Sequence, residues 1–335
     1  MKNKERMGNY ELLRIVAAIF IILNHIDFSM DQVDQNAISN LNMLIVRFFH
    51  LGGKFGTNVF VLLGGWFLYS EPLKIRRVVR IIVDVFVYGS IMYCAASIIN
   101  GRLIGAGGLI KSYSYWFPFA YVIAIFASPF VHKISANKSV LKCIILVGGV
   151  FFTLLTVISG IWKNYYLSFF LKETIIGPIW FIYVFCFVNF IKATKFQIMR
   201  ENLIKYLAMF CSCYLVMFVL VLILDFNSIR DMYSPVCFLA AISIFMFFSC
   251  IQVRLIRAIE VLAKSSFGTY LIQCNNNMWT NWNNKIFCYS AFLDTIAFYF
   301  VVFISVVTFF VIATIIEMIK LRIDNKKVIR KNNIC

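Results

Sequence analysis

Ten apolar runs, most of them about as long as the 17 to 25 residues that carry a helix across ~30 Å of hydrocarbon, dominate this chain of 335 residues. They fall near 10–28, 55–70, 78–99, 113–131, 143–161, 174–191, 206–225, 235–252, 265–282 and 291–318. Inside a bilayer each backbone N–H and C=O must find its partner within the protein, so a chain of this kind folds as a bundle of helices. The second run is short, and residues 43–51 are expected to form a half-helix or an interfacial piece ahead of it. The fold class is therefore all-α, a polytopic membrane protein with about ten transmembrane helices.

Basic residues test that assignment independently, because Lys and Arg gather in the cytoplasmic loops. With the N-terminus inside, the outer loops hold Arg47, Lys54, Arg102, Lys111, Lys163, Lys172, Arg230 and Lys285; Arg14 lies within the first run, and the other 23 of the 32 basic residues are cytoplasmic. A 23-to-8 division in strict alternation implies an even number of crossings with both termini inside. It also accounts for much of the +17 net charge without a nucleic-acid partner. The composition is 61% hydrophobic with five prolines and no Ser/Gly/Pro-rich segment, so one domain is expected over 1–335, its helices within 10–318 and a basic cytoplasmic tail at 319–335. The N-terminal MKNKERMGNY is short and basic with no small-residue cleavage site behind the first run, which reads as a retained helix. Ten scattered cysteines without a CxxC pair suit small core residues rather than a metal site or disulfides.

The first run carries the least expected side chains. ELLRIVAAIFIILNH (11–25) places Arg14 and His25 in hydrocarbon-grade sequence, where unpartnered polar groups cost several kcal/mol. Eleven residues at 100° each come to about 20° past three turns with a rise of roughly 16 Å, so both lie on one helix face. Glu11, one turn before Arg14, can pair with it. On spacing alone two readings stay open. Arg14 snorkels to the headgroups and His25 is an interfacial histidine; or the imidazole, titrating near neutrality, takes a proton from a hydroxyl.

Further stretches follow in order along nearly the whole chain: GTNVFVLLGGWFL (56–68), KIRRVVR (74–80), SYWFPFAYVIAIFASPFV (114–131), GPIWFIYVF (177–185) and SSFGTYLIQCNNN (265–277). With the Arg-x10-His of the first run, they resemble the signatures of the acyltransferase-3 family of integral membrane O-acyltransferases, in the branch that modifies cell-surface polysaccharides. The resemblance implies transfer of an acyl group, usually acetyl, from acyl-coenzyme A to a carbohydrate hydroxyl. Acetyl-coenzyme A would be the donor substrate, with no tightly bound cofactor and no metal. A polysaccharide or lipid-linked sugar would be the acceptor, and the inner membrane of a bacterium the setting.

On this resemblance His25 is the catalytic candidate. Arg77 and Arg80, spaced i, i+3, are candidates for gripping the coenzyme A phosphates, and Arg14 for orienting the donor. Glu11, Trp116, Tyr121, Trp180, Tyr270 and Gln273 are supporting candidates; for any single aromatic, helix packing competes with sugar contact. His50 and His132 match no constellation and are expected at the surface. The chain departs from the family pattern at Gln273 and Cys274, where a second histidine and an acidic residue are usual, at Trp279, where Arg is common, and at Gly64, where a small polar residue is usual. Gln hydrogen-bonds but does not titrate. Either Gln273 suffices, or the chain is a non-catalytic transporter or scaffold on the same fold, degenerate at Gln273.

Overall fold

A computed structural model describes residues 7–26, 41–69, 73–161, 171–194 and 198–332. Lys2, Lys4, Arg6, Lys163 and Lys195, which the loop count uses, lie outside them. Among the described residues the chain is all-helical: α1 (Gly8–Asn24), α2 (Leu41–His50), α3 (Gly52–Leu68), α4 (Ile75–Ile99), α5 (Ala106–Tyr113), α6 (Trp116–Ile134), α7 (Lys138–Ile161), α8 (Gly177–Ala193), α9 (Leu203–Leu224), α10 (Pro235–Cys250), α11 (Arg257–Gln273) and α12 (Ala297–Asn332). The expected half-helix is α2. Among the described residues, seven helices are individually long and apolar enough to cross a membrane. Among the others, α1, α3 and α11 have 17 residues each and pack in the interior, α1 against both α3 and α11. The protein is a polytopic, all-α membrane protein.

Burial separates rim from centre. Only 11% of the most apolar window of α7 and of α9 is buried, against 67% for the span containing α10, so the first two present their sides to lipid. The centre is built on close backbone approach, which membrane helices obtain from small residues. A Cβ on Gly56 of α3 would stand 2.7 Å from the Ala17 carbonyl of α1, and one on Gly53 would meet the Asn24 side chain at 2.3 Å. Contacts between helix ends fix the helix directions. Asn9 donates to the Phe248 carbonyl at 2.9 Å, and Tyr10 packs edge-on to Phe67 and stacks on Phe245. The start of α1 therefore meets the ends of α3 and α10. Its own end meets the start of α3 and the end of α11.

Two boundaries differ from the hydropathy reading. The run 265–282 ends as a helix at Gln273, because Cys274 begins a turn and the asparagines 275–277 bond outward instead of continuing. Asn275 donates to the Ser112 carbonyl and the Tyr115 hydroxyl, and Asn277 to the Gly108 carbonyl and Ser112 Oγ. The basic tail is not a separate segment: α12 runs on to Asn332, since no Gly or Pro lies between Ala297 and that residue to stop it.

Candidate active site

His25 is the C-cap of α1, so its ring stands at the end of the helix, beside the end of α11. Gln273 reaches it from there. Gln273 Nε2 donates to the Ile22 carbonyl at 3.1 Å, while its Oε1 lies 3.2 Å from His25 Nδ1. A carbonyl oxygen can only accept, so the Ile22 contact fixes which end of the amide is NH2. Oε1 is then the atom facing the imidazole, and it too can only accept. His25 is thereby held with its proton on Nδ1 and a lone pair on Nε2. Cys274 Sγ lies 3.8 Å from both ring nitrogens, and Trp279 packs edge-on at 4.8 Å between centroids. The ring borders a recess lined also by Trp282, Asn283, Tyr289 and Phe309, with room for about one water.

The other end of the Arg14 face is charged. Arg14 Nη1 sits 3.2 and 3.1 Å from the two oxygens of buried Glu11, and its guanidinium lies 5.8 Å from the Phe67 ring centre. Arg14 and Arg77 both act electrostatically on the Tyr121 hydroxyl. That hydroxyl fills the space over Gly64, where an added Cβ would be 2.3 Å away, which gives the glycine in the FVLLGGWFL stretch a steric reason. Arg80 does not join this group: it is exposed on α4 and acts on Asp84, while Arg77 is half-buried. Three residues along a helix leave about 60° between side chains.

Between the two ends lies an apolar recess lined by Ile21, Phe60, Phe117, Phe267 and Tyr270. Ile21 falls between Arg14 and His25 on their shared face. Phe117 stacks on Tyr121 at 5.7 Å and meets Tyr270 at 5.4 Å, so a file of rings runs from the charged end across to Tyr270 on α11, one turn before Gln273.

Residues 7–315 match the model of a family described as an acyltransferase domain. The chain belongs to the acyltransferase-3 family. No curated protein and no solved structure matches it. Membership makes the protein a membrane acyltransferase, and the remaining sequence candidates can be placed within that acyltransferase. Tyr270 lines the recess. Trp116 opens α6 at the His25 end. Trp180 stands apart from both ends: it is fully buried, donates to Asn58 Oδ1 at 2.8 Å and packs among Phe152, Tyr183 and Phe238, which is core packing.

His132 is exposed, as expected, but His50 is not a surface residue: it is half-buried, and Arg230 Nη1 donates to its Nδ1 at 2.7 Å. Sequence reasoning missed Lys54 and Glu173, an ion pair at 3.1 Å beside Trp116. One signal was available, a Lys two residues before the GTNVFVLLGGWFL motif. Glu173 had none, being a single acid in an apolar stretch.

Proposed function

We infer that this acyltransferase moves an acetyl group from acetyl-coenzyme A to a hydroxyl of a cell-surface or exported polysaccharide, or of its lipid-linked precursor, with His25 as general base. The observation that carries the reading is the Gln273 bridge, which leaves the Nε2 lone pair of His25 available for an acceptor proton. As the acceptor oxygen bonds to the thioester carbonyl carbon, its proton passes to Nε2. The C–S bond then breaks, and the departing thiolate takes that proton back, releasing free coenzyme A and neutral imidazole.

Arg14 and Arg77 supply positive charge where the nucleotide end of the donor would enter, with Arg80 one turn further along α4 as an outer phosphate contact. On this reading the pantetheine arm would lie along the roughly 16 Å between Arg14 and His25, where the structure leaves an apolar recess with room for about one water. Glu11 holds Arg14, while Tyr121 and Tyr270 line the path. On the 23-to-8 charge division the Arg14 end is cytoplasmic, His25 faces outward and both termini lie inside; the setting that the family resemblance implies is the inner membrane of a bacterium.

NMR of polysaccharide from cells carrying His25→Ala tests the reading. Loss of O-acetyl signals at normal protein level is expected. Persistence of those signals would overturn it, and would favour a transporter or scaffold on the same fold.

A further inference from the structure

Lys54, in the first turn of α3, has no part in the reaction as described so far. Its ammonium is nevertheless held from two directions: Nζ is 3.1 Å from Glu173 Oε1 and 4.1 Å from the centre of the Trp116 ring. These three side chains come from the start of α3, the start of α6 and the π-turn Lys172–Ile176 that leads into α8. Their relative exposures, 31% for Lys54 and 14% for Glu173, describe a pair partly removed from solvent. Such a pair contributes little net stability, since the cost of desolvation offsets most of the attraction. Its location is more informative. Gly53 abuts Asn24, the neighbour of His25, and Lys54 acts electrostatically on His25 and on Cys274. Trp116 adjoins Phe117, which lines the apolar recess together with Tyr270. A thioester carried along the Arg14 face to His25 would lie at the end of α1 that the start of α3 flanks.

We propose that Lys54 is a catalytic residue that stabilises, through its ammonium, the negative charge on the thioester carbonyl oxygen while the acceptor oxygen is bonded and the thiolate has not yet left. The proposal rests on the acyl-transfer reading. Charge develops on that oxygen only at the tetrahedral stage, and a fixed cation in a water-poor site lowers the barrier most when it need not move. Glu173 and Trp116 provide that fixity. The positive N-terminal ends of α3, α6 and α8 at the same mouth reinforce the field.

The test uses the full chain in nanodiscs, acetyl-coenzyme A as donor, and the cell's own surface polysaccharide, stripped of acetyl groups by mild alkali, as the acceptor probe. The double variant Lys54→Met/Glu173→Gln removes both charges and keeps the volumes. Its kcat should fall by roughly 10²–10³, with donor KM and melting temperature close to those of the unaltered protein. Lys54→Arg, which keeps the charge, should recover most of that loss. A double variant that turns over like the unaltered protein overturns the role of Lys54 and leaves the acyl-transfer reading standing. Absence of transfer by the unaltered protein itself overturns that reading, and the proposal with it.

Discussion

Tyr121 and Gly64 occupy one another's space: the tyrosine hydroxyl stands 2.3 Å from where a Cβ on residue 64 would be. The ring is not free to yield, because it stacks on Phe117 and its oxygen lies in the field of Arg14 and Arg77. Gly64→Ala should therefore cost about 1–3 kcal/mol, the usual penalty for overpacking, read as a lower melting temperature in detergent. Combining it with Tyr121→Phe should recover part of the loss. A Gly64→Ala protein that melts unchanged would show that the ring moves easily.

Gln273 is expected to act through the imidazole it orients. The protein has three histidines, so nitrogen NMR of labelled protein can assign each ring. His25 should show the Nδ1–H tautomer, and Gln273→Leu should turn it into a mixture. The same variant should lose roughly 10² in kcat, the lower part of the range for general-base catalysis, at unchanged donor KM. A pure Nδ1–H signal in Gln273→Leu would remove Gln273 from the mechanism.

Arg77 and Arg80 should separate in kinetics. Arg77→Ala is predicted to raise the KM for acetyl-coenzyme A about tenfold, equal to ~1.4 kcal/mol of binding. Arg80→Ala, at an exposed position, should change it less than threefold. Equal effects of the two would mean that the phosphates bind outside the Arg14 group.

Lys320 anchors α12 to α4. It contacts Asp84 and pairs with Glu317 at 2.6 Å; Glu317 in turn accepts from the Tyr88 hydroxyl at 3.1 Å. Lys320→Met leaves two carboxylates facing each other and should destabilise by about 3 kcal/mol. The neutral triple variant Asp84→Asn/Glu317→Gln/Lys320→Met should melt close to the unaltered protein. Equal losses in the single and triple variants would point to lost packing rather than stranded charge.

The bundle itself was legible in the sequence, because hydrocarbon leaves the backbone no other option and loop charges report the alternation. Boundaries were legible only where composition changes with structure. The end of α11 was hidden, since the asparagines after Cys274 stop the helix by bonding to residues 108–115, a tertiary event. The extension of α12 was hidden for the opposite reason: its polarity changes while its helix propensity does not. Helical periodicity aligned Arg14 with His25, yet it said nothing of Tyr121, which reaches that face from α6. Gln273 looked like a loss when compared with a titrating side chain. Its role in setting a tautomer depends on the Ile22 carbonyl, and no residue type announces a carbonyl's direction.

The His25–Gln273 contact joins positions 248 residues apart, and this bears on how the protein could be rebuilt from parts. A first helix taken from a relative with histidine at the position of Gln273 would meet an amide in place of the imidazole that its own ring was matched to. Chimeras that exchange α1 alone should fold but turn over poorly, whereas those that exchange α1 and α11 together should work: the heritable unit of this site is a pair of helices from opposite ends of the chain.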